Sequence, residues 1–233
     1  MSDTFPANSY VPYSHKPRTC VVESNSGKFY AGVRIENISY PLTIPAVHAA
    51  FTICLSEGET PSKLFINEYK YEQLDFWKNE FELDVVFDQD LPLNKAENLL
   101  KTDSGEIDIS KKLKQLLQKA VVPNSDFPVS AILFTDIGYF EGVNVEVNEW
   151  SKGLCAERVA LAKAITAGYT EFERLEIHTK KGQVSSPCGS CRQVITEFMP
   201  TKKIILHHAD STVSEHFMND LLPFNFTSDS LRK

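Results

Sequence analysis

The segment Gly142-Val143-Asn144-Val145-Glu146-Val147 repeats, with small changes, a segment near the start of the chain, Gly32-Val33-Arg34-Ile35-Glu36-Asn37. Nine residues after each glutamate the chain reads Cys155-Ala156-Glu157-Arg158 in the later copy and Pro45-Ala46-Val47-His48 in the earlier one. Ser56-Glu57-Gly58-Glu59-Thr60 then lines up with Thr166-Ala167-Gly168-Tyr169-Thr170. Upstream, Pro12-Tyr13-Ser14 matches Pro123-Asn124-Ser125, with the spacing changed by one residue. Matches in one unbroken order point to duplication of a structural unit.

The secondary structure expected of each copy repeats as well. Thr19 to Glu23 and Val129 to Phe134 read as strands, each followed by a turn (Asn25-Ser26-Gly27 and Asp136-Ile137-Gly138) and a second strand. An apolar helix is expected from Ala46 and from Ala156, with Gly58 and Gly168 as left-handed stops. Short strands follow at Leu64 to Ile66 and Leu175 to His178. The second copy continues with a helix from Cys188, on which Cys191, Val194, Ile195 and Phe198 share a face, and a strand from Lys203 to His207. The polar stretch Asp88 to Gly105 reads as a linker, after which Ile109, Leu113, Leu116 and Leu117 mark an amphipathic helix. The expected organisation is a first unit over 1–87, a linker over 88–105 and a second unit over 106–233, each unit a layered α/β domain.

At 233 residues with 42% hydrophobic side chains, the chain can bury a real core. A net charge of -7 argues against a phosphate-tracking surface, so no nucleic-acid partner is expected. No apolar stretch approaches the length of a membrane span, and Met1 to Pro12 lacks a signal-peptide core. A cytoplasmic location follows as an expectation. Three of the five cysteines (Cys20, Cys54, Cys155, Cys188, Cys191) fall in the second copy, which in a reducing compartment suggests metal chemistry.

Cys188 and Cys191, three apart at a helix start, can grip one zinc ion, and Cys155 opens another helix. The positive ends of two helices favour thiolate over thiol. With only these three ligands evident, a fourth position stays open for water, as in a catalytic zinc site. Glu157, two residues from a ligand, is near the metal without binding it, which suits a proton shuttle. Arg158 is placed to offset the excess charge of three thiolates.

Together, Cys155-Ala156-Glu157-Arg158 and Pro187-Cys188-Gly189-Ser190-Cys191-Arg192-Gln193 closely resemble the cytidine deaminase family in its all-cysteine zinc subtype. Pro123-Asn124-Ser125-Asp126-Phe127 resembles the family's P-Y-S-x-F, whose Phe lines the base pocket. Gly142-Val143-Asn144-Val145-Glu146 resembles G-C-N-I-E, whose Asn and Glu bind the ribose hydroxyls. Leu221-Leu222-Pro223-Phe224-Asn225-Phe226 resembles the terminal L-L-P-x-x-F, whose last Phe packs at a neighbouring subunit's site. The resemblance implies two tandem three-layer α/β/α domains with mixed sheets, the first degenerate. It also implies one zinc per chain, Glu157 as catalytic group, and Phe127, Asn144, Glu146, Ala156 and Phe226 as substrate-binding residues. Backbone groups at Ala156 and Ser186-Pro187 would orient the amine. The implied reaction is hydrolysis of cytidine and 2′-deoxycytidine to uridine nucleosides and ammonia, in a homodimer that forms a pseudo-tetramer of domains. Val147, Glu149-Trp150 and Ser130 depart from the family pattern. In the first copy Pro45, Val47 and His48 stand at the positions of ligand, acid/base and arginine, and no C-x-x-C follows.

Other readings of the same residues are a deaminase of another aminopyrimidine, and a non-catalytic zinc or polynucleotide-binding module. A structural zinc knot would need a fourth ligand such as His178 or His207.

Overall fold

Runs of β-branched and aromatic residues form the strands. β1 (Thr19–Ser24) pairs antiparallel with β2 (Phe29–Val33) across a turn in which Gly27 takes a φ of +81°. After β2 comes α1 (Ala46–Ser56), which ends at Gly58 with φ +80°. β3 (Pro61–Ile66) joins the other side of β1, antiparallel, and α2 (Leu74–Glu80) leads to β4 (Asp84–Phe87), which runs parallel to β3. The sheet order is β2-β1-β3-β4.

The second copy follows the same path. A helix, α3 (Ile109–Leu116), precedes β5 (Val129–Phe134) and β6 (Tyr139–Val143). Next come α4 (Ala156–Thr166), with Gly168 at φ +92°, then β7 (Arg174–Thr179), α5 (Gly189–Phe198) and β8 (Lys203–His207). β9 (Val213–Phe217) and a short α6 (Met218–Leu221) complete it, giving the order β6-β5-β7-β8-β9. This computed structural model describes residues 8–102 and 107–227, so the expected boundary at 105/106 lies outside the described residues.

Alternation along β5 sets the layers of the second copy. Ala131 and Leu133 face the core shared with α4 and α5, while Ile132 and Phe134 face Leu113 and Leu116 of α3. In the first copy α1 and α2 cover one face of the sheet. Sequence patterning gave no sign of α2 or β4. α2 starts at Gln73 in a left-handed conformation with no side-chain cap, and is held instead by Trp77, whose ring stacks on Phe51 at 4.8 Å.

The same close contact places the central helix in each copy. A Cβ on Gly32 would lie 2.2 Å from the Ala50 nitrogen, and one on Gly142 would lie 2.2 Å from the Ala156 oxygen. Only glycine lets the strand touch the helix backbone there. The opposite flanks of α1 and α4 meet, and the apolar residues of both copies form one continuous core. Buried Lys163 of α4 donates to Glu57, just beyond α1, and to the Glu141 carbonyl at 2.8 Å.

The stretch expected to be a polar linker is anchored to both sheets. Glu97 donates its N–H to Phe29 at 2.8 Å, and Lys101 exchanges two backbone bonds with Tyr139 at 2.9 and 3.0 Å. Phe29 and Tyr139 belong to β2 and β6, the edge strands, whose unpaired backbone groups the connection satisfies.

Substituting Gly32→Ala therefore tests the helix–strand approach in the copy that lacks the thiols. Overpacking should destabilise the chain by about 3 kcal/mol. A thermal midpoint equal to wild type would show that the helix can give way.

Candidate active site

The three C-terminal thiols sit at the starts of two helices. Cys155 is the N-cap of α4 and Cys188 the N-cap of α5, with Cys191 in the first turn of α5. Each N-cap is extended (φ -68°, ψ 154° at Cys155; φ -66°, ψ 166° at Cys188), so the chain turns sharply and aims each side chain past its helix end. All three sulfurs lie within 4.8 Å of one another, and Cys155 Sγ is 3.8 Å from Cys188 Sγ. Two thiolates bound to one tetrahedral zinc at about 2.3 Å lie about 3.8 Å apart, so the spacing fits the ion.

The thiols also act strongly on one another: hydrogen bonds from Cys155 and Cys191 hold Cys188 down at about 2, the bond with Cys188 pushes Cys155 up to about 12, and the bonds with Cys155 and Cys188 raise Cys191 well above its ordinary value. Neither histidine considered as a fourth ligand joins the group. His178 Nδ1 is bonded to the His207 carbonyl, while His207 holds Glu176 and Ser110 through its two ring nitrogens. Among the described residues the cluster contains the three cysteines alone.

Glu157, in the first turn of α4, is buried beside them. Burial, reinforced by the Cys188 sulfur, raises its pKa, the direction that suits a group that carries a proton. Arg158, next to it, is half-buried. Burial alone would lower its pKa, but the sulfurs of Cys191 and Cys155 outweigh that and raise it. Its charge opposes that of the thiolates. From the first copy, His48 reaches the same region. Burial, followed by the Arg158 charge, pushes its pKa down to about 3, so the imidazole is neutral.

A cavity of about 600 Å³ opens over this group. Its walls include Phe127, Asn144, Glu146, Trp150, Cys155, Glu157, Arg158 and Cys188. Asn144 and Glu146 face the cavity but also tie loops together. Asn144 Oδ1 accepts from the Val129 N–H at 2.7 Å, and its Nδ2 donates to the Phe127 carbonyl at 3.0 Å. Glu146 accepts from the backbone N–H groups of Asn124 and Ser125 at 3.0 and 3.1 Å, and from the Ser125 hydroxyl. Glu36 holds Tyr13 and Ser14 in the same way in the first copy.

Ala156 is fully buried behind the wall, and Cys191 lies beneath it. Phe226 is 48% exposed and does not line the cavity of its own chain, and its carbonyl accepts from Gln193. The departures from the family pattern have local explanations. Val147 is buried in the core, and the Ser130 hydroxyl donates to the Leu113 carbonyl at 2.8 Å, which holds α3 on the sheet. Sequence reasoning overlooked Arg192, although it lies in the quoted motif. It grips Pro187 O, Ser186 Oγ and Leu221 O, bracing the segment that delivers Cys188.

Comparison with known proteins agrees with this geometry. Residues 105–208 match a family described as the cytidine and deoxycytidylate deaminase zinc-binding region, and residues 5–68 match a second family of the same description. A cytidine deaminase from Sporosarcina psychrophila is 36% identical over 51% of this chain and 88% of its own length. The cytidine deaminase of Mycoplasma genitalium is 32% identical over 51% of this chain and 92% of its own. A crystal structure of cytidine deaminase from Burkholderia pseudomallei overlaps 50% of this chain and 94% of that one, with 37% identity and a TM-score of 0.48. With two copies of the fold and the zinc-binding set in the second, the chain belongs to the cytidine deaminase family.

Proposed function

We propose that the chain catalyses the zinc-dependent hydrolytic deamination of cytidine and 2′-deoxycytidine to uridine nucleosides and ammonia, as part of pyrimidine salvage. The observation that carries this reading is the joint placement of three thiols at zinc spacing and a buried carboxyl in one nucleoside-sized cavity. Cys155, Cys188 and Cys191 would hold the metal, one ion per chain. Bound zinc supplies the Lewis acidity that makes water a nucleophile near neutral pH. Glu157 would take a proton from the attacking water and pass it to N3 of the base, then take the remaining proton from the hydroxyl now on C4 and deliver it to the amine, which leaves as ammonia as the C4 carbonyl forms. Arg158 offsets the thiolate charge, so that the ligand set does not cancel the metal's acidity.

In this reading Phe127 walls the base, Asn144 and Glu146 receive the sugar hydroxyls, and backbone groups at Ala156 and Ser186-Pro187 orient the amine. The catalytic unit spans 106–233 and the degenerate unit 1–87, joined by 88–105. No helix among the described residues is long and apolar enough to cross a membrane, and the five cysteines are free, which supports a reducing, cytoplasmic setting.

Trp150 is 66% exposed at the cavity over the thiols, Tyr40 is 85% exposed at a second cavity lined by Arg34, Glu36 and Asn37 in the first copy, and Phe226 lies outside the thiol cavity of its own chain. Large exposed aromatics at these points support a homodimer in which each chain covers the other. Light scattering should then give twice the chain mass of 26.3 kDa. A fully active monomer would remove the dimer, and with it the role of Phe226 at a partner's site.

Two substitutions separate metal binding from chemistry. Cys188→Ala should abolish the single zinc found by elemental analysis. Glu157→Gln should keep the zinc and lower turnover of cytidine at least about 100-fold. Near wild-type turnover by the second variant would exclude Glu157 as the proton carrier.

For the sugar, Glu146→Ala is expected to raise KM for cytidine about 10-fold with zinc content unchanged, the loss of one charge-assisted hydrogen bond. An unchanged KM would leave Glu146 as a loop clamp alone, like Glu36.

A further inference from the structure

α5 carries Cys188 and Cys191 at one end and Glu197 near the other, about 9 Å along the axis from Cys191. The Glu197 carboxylate leaves its own copy and enters the first. It accepts hydrogen bonds from the hydroxyls of Tyr10 and Tyr13 at 2.9 and 2.6 Å, from Asn37 Nδ2 at 2.5 Å and from the Ile38 N–H at 2.8 Å. Four donors match the capacity of an ionised carboxylate. Burial, together with the Glu197 charge, raises the pKa of both phenols, so they stay protonated and keep donating. The Tyr10 ring packs against Phe198 with centroids 4.7 Å apart, closing one side of the socket.

The reverse contact is weaker. Among the described residues, Glu80 at the end of α2 accepts just the N–H and side-chain amide of Asn148, at 3.0 and 3.1 Å, and α2 carries no thiol. The copies therefore exchange glutamates, but the caged one is attached to two metal ligands. Cys155 belongs to a different helix, α4, whose placement is set by Gly142 and by α1. A rigid helix caged near its far end resists sliding or turning against α4.

We propose that Glu197 is a positioning residue through which the non-catalytic first copy fixes Cys188 and Cys191 against Cys155. The inference rests on the zinc deaminase reading above.

Tyr10→Phe/Tyr13→Phe in the full-length, zinc-replete protein removes two donors in the first copy without touching the second. Zinc release to a chromogenic chelator, and kcat and KM on cytidine, are measured well below the unfolding midpoint. Release should be about 10-fold faster and kcat about 10-fold lower, with KM within about twofold of wild type, the scale seen when supports of metal ligands are lost. Glu80→Gln, tested alongside, should lower the midpoint and leave both rates unchanged. If the double variant lowers the midpoint while release and kcat stay at wild-type values, the socket is structural only and the proposal fails. Should the double variant not fold, Tyr13→Phe alone carries the test, with about threefold changes expected and none overturning it. A wild-type protein that binds zinc yet leaves cytidine unchanged defeats the deaminase reading, while the release rates still decide the role of Glu197.

Discussion

Helix α4 has almost no solvent face. Ten of its 11 residues are buried, including Glu157 and Lys163, and α1 is buried to the same degree. A helix in that position needs cover on two flanks. The sheet supplies one, pressed close because Gly142 has no Cβ, and the matching helix of the other copy supplies the second. Lys163 follows from the same constraint. A lysine in a shared core must be paired, and Glu57 of the first copy pairs it. A single copy would leave one flank of its central helix in water, which accounts physically for two copies in one chain.

The site depends on that burial. Because α4 is fixed on both flanks, its N-terminus is a fixed point, and Cys155 and Glu157 are carried there together. Desolvation then raises the pKa of Glu157, while the crowded sulfurs keep Arg158 charged. The same environment that stabilises the fold thus shifts Glu157 in the direction that suits the proton-carrying role proposed for it.

Much of this was legible in the chain. Gly32 and Gly142, Gly58 and Gly168, and the strands around Val22 and Leu133 are marked by residue type and period, because the backbone itself demands them. The cysteine spacing at two helix starts was equally plain. The parts that could not be read depend on contacts between segments far apart in sequence. α2 has no capping signal and is held by Trp77 on Phe51. The polar stretch after Phe87 looks like free linker, and only the pairing of its backbone with Phe29 and Tyr139 shows otherwise. Glu197 reads as an ordinary carboxylate near a helix end until four partners from residues 10 to 38 are seen around it. The family resemblance marks Asn144 and Glu146 for a sugar-binding role, but nothing in the sequence shows that they tie loops together.

The divergence of the first copy follows an electrostatic order. Its helix start is conserved in shape, with Pro45 at φ -61°, ψ 151° against φ -68°, ψ 154° for Cys155, so replacing the thiol left the backbone path intact. With no thiolates and no metal, a buried carboxylate at position 47 would have no cation to answer, and Val47 packs there fully buried instead. An arginine at position 48 would then be a buried cation without the sulfurs that sustain Arg158. Histidine resolves this by staying neutral: burial and the nearby Arg158 push its pKa to about 3. The three replacements are therefore linked, each removing a charge that the loss of the others left uncompensated. What remained, the glycine-tight helix and the loops around Glu36 and Asn37, is the part that touches the working copy.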